Sequence, residues 1–162
     1  MFSSPLLRLA EVILAEARAQ RLRIATAESC TGGLIGGLLT EIAVSSDVFE
    51  LGFIVYSNRA KSDMLGVPGD LIADMGAVSE PVARAMAEGA VMNSNAHMAV
   101  AVTGVAGPGG GTALKPVGLV HIAAARENRS ILHEAHRFGD IGRSEVRMKT
   151  VEAALLLLQR MF

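Results

Sequence analysis

The chain has 162 residues, 51% of them hydrophobic, with a mean hydropathy of +0.40, which is ample apolar material for one buried core. Its apolar runs are all shorter than the ~20 residues that cross a bilayer, so a soluble protein is expected. A net charge of −1, no Trp, a single Tyr and no basic cluster exclude a dedicated nucleic-acid surface, leaving a small polar ligand as the expected partner. The lone Cys30 excludes an internal disulfide or a cysteine-rich zinc cage and fits a reducing compartment. Met1–Ala10 lacks the order of a secretory signal, because Arg8 follows the only apolar stretch, and a cytoplasmic location is expected.

Apolar residues at helical spacing from Leu6 to Ala17, with Pro5 suited to a helix start, predict a first helix over Pro5–Gln20. Leu22–Glu28 reads as a short strand and Gly32–Ala43 as a glycine-tolerant helix. Phe49–Tyr56 is a second strand, after which Asn58 is expected to cap a short helix through Leu65. Gly69–Met75 is a further helical piece, and Ser79 caps a helix running to about Asn93. The apolar strand His97–Thr103 opens into the glycine-dense segment Gly104–Gly111. Strands near Val117–Ala125 and Ser130–Phe138 form a predicted hairpin, and a closing helix starts near Arg143. Strands joined by helices imply an α/β fold whose mixed, largely parallel sheet is covered on both faces, within one domain over residues 1–162.

Two strand-to-helix junctions carry chemistry. Ser29 stands at the end of the first strand and the mouth of a helix, where the amides of Thr31, Gly32 and Gly33 are expected to stabilise an oxyanion. An ordinary N-cap serine is the alternative at that position. At the next junction, Tyr56 and Lys61 lie five apart and face the same crevice of a parallel sheet. A lysine base needs its pKa brought from ~10.4 toward ~7 to 8. The helix dipole supplies well under one unit of that, so burial and Arg59 are expected to supply the rest. A solvated surface lysine is the alternative. Gly104–Gly111 is suited to wrapping an anion but lacks the lysine and hydroxyl of a P-loop.

Arg143 and Arg147 stand four apart at the start of the last helix, where one is expected to meet an anion and the other solvent. Glu28 is a candidate for orienting a neighbour of Ser29, and Cys30 reads as a core thiol rather than the nucleophile. His97, His121, His133 and His136 have no metal-ligand spacing, so structural or solvent-facing roles and no metal are expected.

Taken together, TAESCTGGLIGGLL, GFIVYSNRAK, GAVSEPVARAMAEGA and AVTGVAGPGGGTALKPVGLVHIA, in that order, closely resemble the nicotinamide-nucleotide amidase family, also called the CinA C-terminal domain family. The resemblance implies a three-layer α/β/α sandwich that hydrolyses the carboxamide of nicotinamide mononucleotide to nicotinate mononucleotide and ammonia, in pyridine-nucleotide salvage, without a cofactor. Its motifs carry the nucleophile to Ser29, the base to Lys61 and an assisting role to Tyr56. Substrate contacts carry to Thr103, Gly104, Ala106 and Arg143. The resemblance also implies a homo-oligomer, with a dimer favoured.

Gly139-Asp140-Ile141-Gly142-Arg143 departs from the family's GDR by two extra residues, which leaves the phosphate-reading arginine open between Arg143 and Arg147. The amino-terminal molybdopterin-binding-like domain of longer members is absent from these residues, so its associated pyrophosphatase activity is not expected. Two other readings compete with the amidase: a non-catalytic nucleotide-binding or protein-interaction module of the same fold, and a serine amidase for a different nucleotide amide.

Overall fold

The computed structural model describes residues 1–162. Helix α1, Ser4–Ala19, begins with Pro in its first turn and buries Leu6, Ala10, Ile13, Leu14 and Ala17 as one stripe, as the periodicity predicts. Strand β1, Ile24–Glu28, is buried along its whole length, as a central strand covered on both faces must be. Helix α2, Leu34–Glu41, starts later than expected because Gly32 and Gly33 adopt positive φ (56° and 102°), a non-helical turn that side-chain-bearing residues resist. Strand β2 runs over Phe49–Ile54 and helix α3 over Asn58–Leu65. The cap of α3 is Ser57 rather than Asn58. The Ser57 hydroxyl accepts from the Ala60 amide at 3.0 Å, so Asn58 becomes the first helical residue.

Helices α4, Gly69–Met75, and α5, Glu80–Met92, follow, and Ser79 caps α5 as predicted. Strand β3, Met98–Gly104, leads through the glycine-dense segment to the antiparallel pair β4, Leu119–Arg126, and β5, Leu132–Arg137. Helix α6, Arg143–Gln159, completes the chain. No helix is long and apolar enough to cross a membrane.

The five strands lie in the order β2-β1-β3-β4-β5, with β1 parallel to both β2 and β3, and with β4 antiparallel to both of its neighbours. Four strands therefore run one way and β4 alone runs the other, giving the mixed sheet anticipated from the alternation of elements.

Two apolar clusters lie on opposite faces, forming the α/β/α layers. Met98, Val100 and Val102 of β3 pack with α1, α2 and α6 on one face, while Ala99 and Ala101 meet α5 on the other. The alternation follows from the two-residue period of a strand. Alanines on the α5 face of β1, β3 and β4 let that helix lie close to the sheet, and Ala83, Met86, Ala87 and Ala90 fill the contact. The same period aims Glu28 at α2 and sends the next residue, Ser29, toward the α3 side. The carboxyl ends of β2, β1 and β3 then converge on one crevice, where ligands of α/β proteins characteristically bind.

Candidate active site

The crevice is a cleft of about 210 Å³ whose lining includes Ser29, Tyr56, Lys61, Thr103, Ala106 and Arg143. Ser29 is held at the end of β1 by its own amide, which donates to the Val102 carbonyl of β3 at 3.1 Å. Lys61 reaches it from the first turn of α3, with Nζ 3.0 Å from the Ser29 hydroxyl. The same nitrogen donates to the carbonyls of Val55 at 3.0 Å and Tyr56 at 3.3 Å. Lys61 is 1% exposed, so the solvated-lysine alternative does not hold.

No carboxylate pairs with Lys61, and its pKa is lowered by burial, which penalises the ammonium. The influence of Cys30 opposes this only when that thiol is ionised. Burial pushes the Cys30 thiol up to about 12, so it stays neutral and weakens the opposition. Arg59, expected to assist, points into solvent and pairs with Asp63 at 3.1 Å. Desolvation therefore acts on Lys61 without it. Both protonation states are accommodated by this geometry. The ammonium form donates one N–H each to the Ser29 hydroxyl and the two carbonyls, and on losing a proton it keeps the two carbonyl bonds and turns its lone pair to the proton of Ser29.

The turn after Ser29 is braced from beneath. Glu28, 1% exposed, accepts from the Thr31 hydroxyl at 2.6 Å and from the amides of Gly33, Ile35 and Gly36 at 3.2, 2.9 and 3.0 Å. A carboxylate at the N-terminus of α2 is thus saturated by the orphan donors of the first turn. This corrects the assignment of Gly32 and Gly33. The Gly33 amide is spent on Glu28, the Gly32 amide on the Ser29 carbonyl at 3.1 Å, and neither residue lines the cleft. They serve as the turn instead. The amides of Cys30 and Thr31 have no acceptor in the protein, which makes the residue directly after Ser29 the better-placed oxyanion donor.

Arg147 is the second brace. Its guanidinium donates to the carbonyls of Cys30 at 3.0 Å and Thr31 at 3.1 Å, so it holds the turn and does not sit in the cleft. Arg143 does line the cleft, donating to the Gly107 carbonyl at 2.8 Å and to the Tyr56 hydroxyl at 3.3 Å. With two extra residues before it, Arg143 reaches the cleft. Tyr56 touches Lys61 through its backbone carbonyl only, while its ring is exposed at the mouth of the cleft. Thr103 donates to the Ala77 carbonyl at 2.9 Å and so ties the segment before α5 to the cleft wall.

Asn58, Ala77 and Val78 also line the cleft but were not singled out from the sequence. In the sequence Asn58 reads as a cap, and small apolar residues between helices carry no chemical signature. His97 accepts from the Arg23 amide at 2.8 Å, a structural role. No three His, Cys, Asp or Glu side chains are grouped as metal ligands.

An open α/β sheet with a buried serine–lysine pair at the carboxyl ends of its parallel strands defines the general class. The particular family follows from comparison with known proteins. The sequence pattern described as "CinA C-terminal domain" matches residues 6–162, and the chain belongs to that family. A "CinA-like protein" of Syntrophobacter fumaroxidans is 49% identical over 152 residues, covering 94% of this chain and 35% of that protein. One from Synechococcus sp. is 51% identical over 152 residues, covering 93% of this chain and 36% of its own length. The chain thus spans about a third of the length of these curated relatives.

Among solved structures, the competence/damage inducible protein CihA from Agrobacterium tumefaciens superposes with a TM-score of 0.97 at 52% identity, covering 99% of this chain and 97% of that one. A competence-damaged protein (CinA) superfamily member from Escherichia coli gives 0.92 at 29% identity, covering 100% and 94%.

Proposed function

We propose that this chain is a serine amidohydrolase that cleaves the carboxamide of nicotinamide mononucleotide, releasing nicotinate mononucleotide and ammonia. The observation that carries the chemistry is the buried, carboxylate-free Lys61 amine 3.0 Å from the Ser29 hydroxyl. The family resemblance supports the choice of substrate.

In this mechanism neutral Lys61 takes the Ser29 proton as Oγ bonds to the carboxamide carbon. The resulting oxyanion is met by the free Cys30 amide. The Lys61 ammonium then returns its proton to the amide nitrogen, the C–N bond breaks, and ammonia leaves an ester on Ser29. Water, deprotonated by Lys61, attacks that ester to release the acid and restore the hydroxyl. Tyr56 contributes its carbonyl to holding Lys61, and its hydroxyl positions Arg143, whose charge suits the phosphate.

The test is ammonia release from nicotinamide mononucleotide by the unaltered protein and by Ser29→Ala, with nicotinamide riboside as the phosphate-free control. Turnover that is abolished in Ser29→Ala and weak on the riboside is the expected result. A folded Ser29→Ala protein with full activity would overturn the mechanism. Absence of turnover by the unaltered protein would favour a nucleotide-binding module.

A further inference from the structure

A second cleft, of about 570 Å³, opens on the α5 side of the β4–β5 hairpin, and Val78 is the one residue that lines both it and the Ser29 cleft. That volume lies within the ordinary range of small-molecule sites. The amidase chemistry uses none of its polar groups. At its floor is His121 of β4, which lies opposite Thr103 on the neighbouring strand.

His121 is hydrogen-bonded to His133, and a carboxylate stands on the far side of that second ring. Glu80 Oε1 lies 3.5 Å from His133 Nδ1, and His133 Nε2 lies 2.9 Å from His121 Nδ1. With the proton of His133 on Nδ1, the nitrogen that faces the carboxylate, His133 Nε2 accepts and His121 Nδ1 donates. His121 Nε2 is then an unprotonated acceptor with no partner in the protein. Every buried side-chain nitrogen and oxygen is hydrogen-bonded, so this one is reached from the cleft.

The charges around it do not balance. Arg84 is satisfied by Glu80 at 2.7 Å and by the Ile131 carbonyl at 2.9 Å. Lys115 uses one N–H on the Met75 carbonyl at 2.6 Å, which leaves two, and Arg137 has neither an ion-pair nor a hydrogen-bond partner. Both Lys115 and Arg137 are close enough to act electrostatically on His121. Two cations thus line the same cleft as this imidazole, beside exposed apolar side chains of Met75 and Leu114.

The geometry points to a second small-molecule site here, taking an organic anion whose phosphate or carboxylate lies between Lys115 and Arg137 and whose flat apolar body rests on Met75, Val78 and Leu114. The bound anion converts His121 Nε2 from acceptor to donor by drawing a proton onto it. Binding therefore takes up a proton and strengthens as pH falls. The other charged groups facing this pair of rings are Glu80 and Arg84 from α5, and Glu134 and His136 from β5.

The test titrates the full chain, labelled with 15N-histidine, with phenyl phosphate, benzoate and neutral benzamide. At least one of the two anions should move the His121 Nε2 resonance toward imidazolium, more strongly at lower pH, while benzamide leaves it in place. Which anion responds identifies the preferred headgroup. Lys115→Met with Arg137→Met should weaken binding at least ~10-fold. Arg137→Met alone, which replaces an exposed side chain, serves if the double variant does not fold. Arg143→Met, which removes the cation of the Ser29 cleft, should leave the response intact. A silent His121, undiminished affinity in the Arg137 variants, or loss of the response in Arg143→Met would each overturn the assignment. None of these readouts depends on amidase turnover.

Discussion

A buried lysine without a carboxylate partner is unfavourable in a folded protein, and Lys61 places that cost beside Ser29. Its pKa lies below the ordinary lysine value of 10.5. The unfolded chain therefore binds more protons between the folded pKa and about 10.5, and stability contributed by this site rises with pH across that window. Below the folded pKa the penalty is present in full. Lys61→Met should consequently leave thermal stability unchanged or raised on the acid side, while amidase activity falls at least ~100-fold. If the proposed amidase reading holds, kcat/KM of the unaltered protein should climb with pH through the lowered lysine pKa, with its inflection below 10.5. An inflection at the free-lysine value, or none, would count against Lys61 as base. Cys30 provides the contrasting case. With its thiol raised to about 12, Cys30→Ala should keep activity within ~3-fold and cost ~1 kcal/mol in denaturant unfolding, and iodoacetamide should not inactivate the enzyme.

At the scale of the element, α2 is an eight-residue helix rich in glycine whose start is held by one buried carboxylate. Glu28→Ala would strand three amides and the hydroxyls of Thr26 and Thr31, so a loss of ~2–4 kcal/mol is expected in urea unfolding. Glu28→Gln, which keeps two polar atoms but adds an N–H facing amide donors, should fall between the two. If Glu28→Ala proves as stable as the unaltered protein, the brace is not structural. Glu28 was legible as a neighbour of Ser29, but its target was not. The strand's alternation hides which face it takes until α2 is seen packed on that face. The helices themselves were largely legible, because Pro5, Ser79 and the apolar stripe of α1 are local signals. The starts that moved, at Gly33 and at Ser57, are places where two adjacent residues compete for one cap or turn.

The whole molecule couples the layers through close backbone approaches. A Cβ on Gly89 of α5 would lie 2.0 Å from the Leu65 carbonyl at the end of α3. Because α3 carries Lys61, Gly89→Ala should both destabilise the fold by ~1–3 kcal/mol and lower amidase kcat by shifting the amine from Ser29. Unaltered stability and kcat in that variant would show that the contact yields without moving α3.

What the sequence determined by itself was the alternation of strands and helices, the two-sided sheet and the family motifs carrying Ser29, Tyr56 and Lys61. These are written in local periodicity, turn chemistry and residue order. What only the tertiary structure decided was the burial of Lys61, the division of labour between Arg143 and Arg147, the withdrawal of Gly32 and Gly33 from the cleft, and the pairing of His121 with His133 across a hairpin. Each depends on which side chains from distant segments share one face and on how much water they exclude, and those distances are set only when the layers pack.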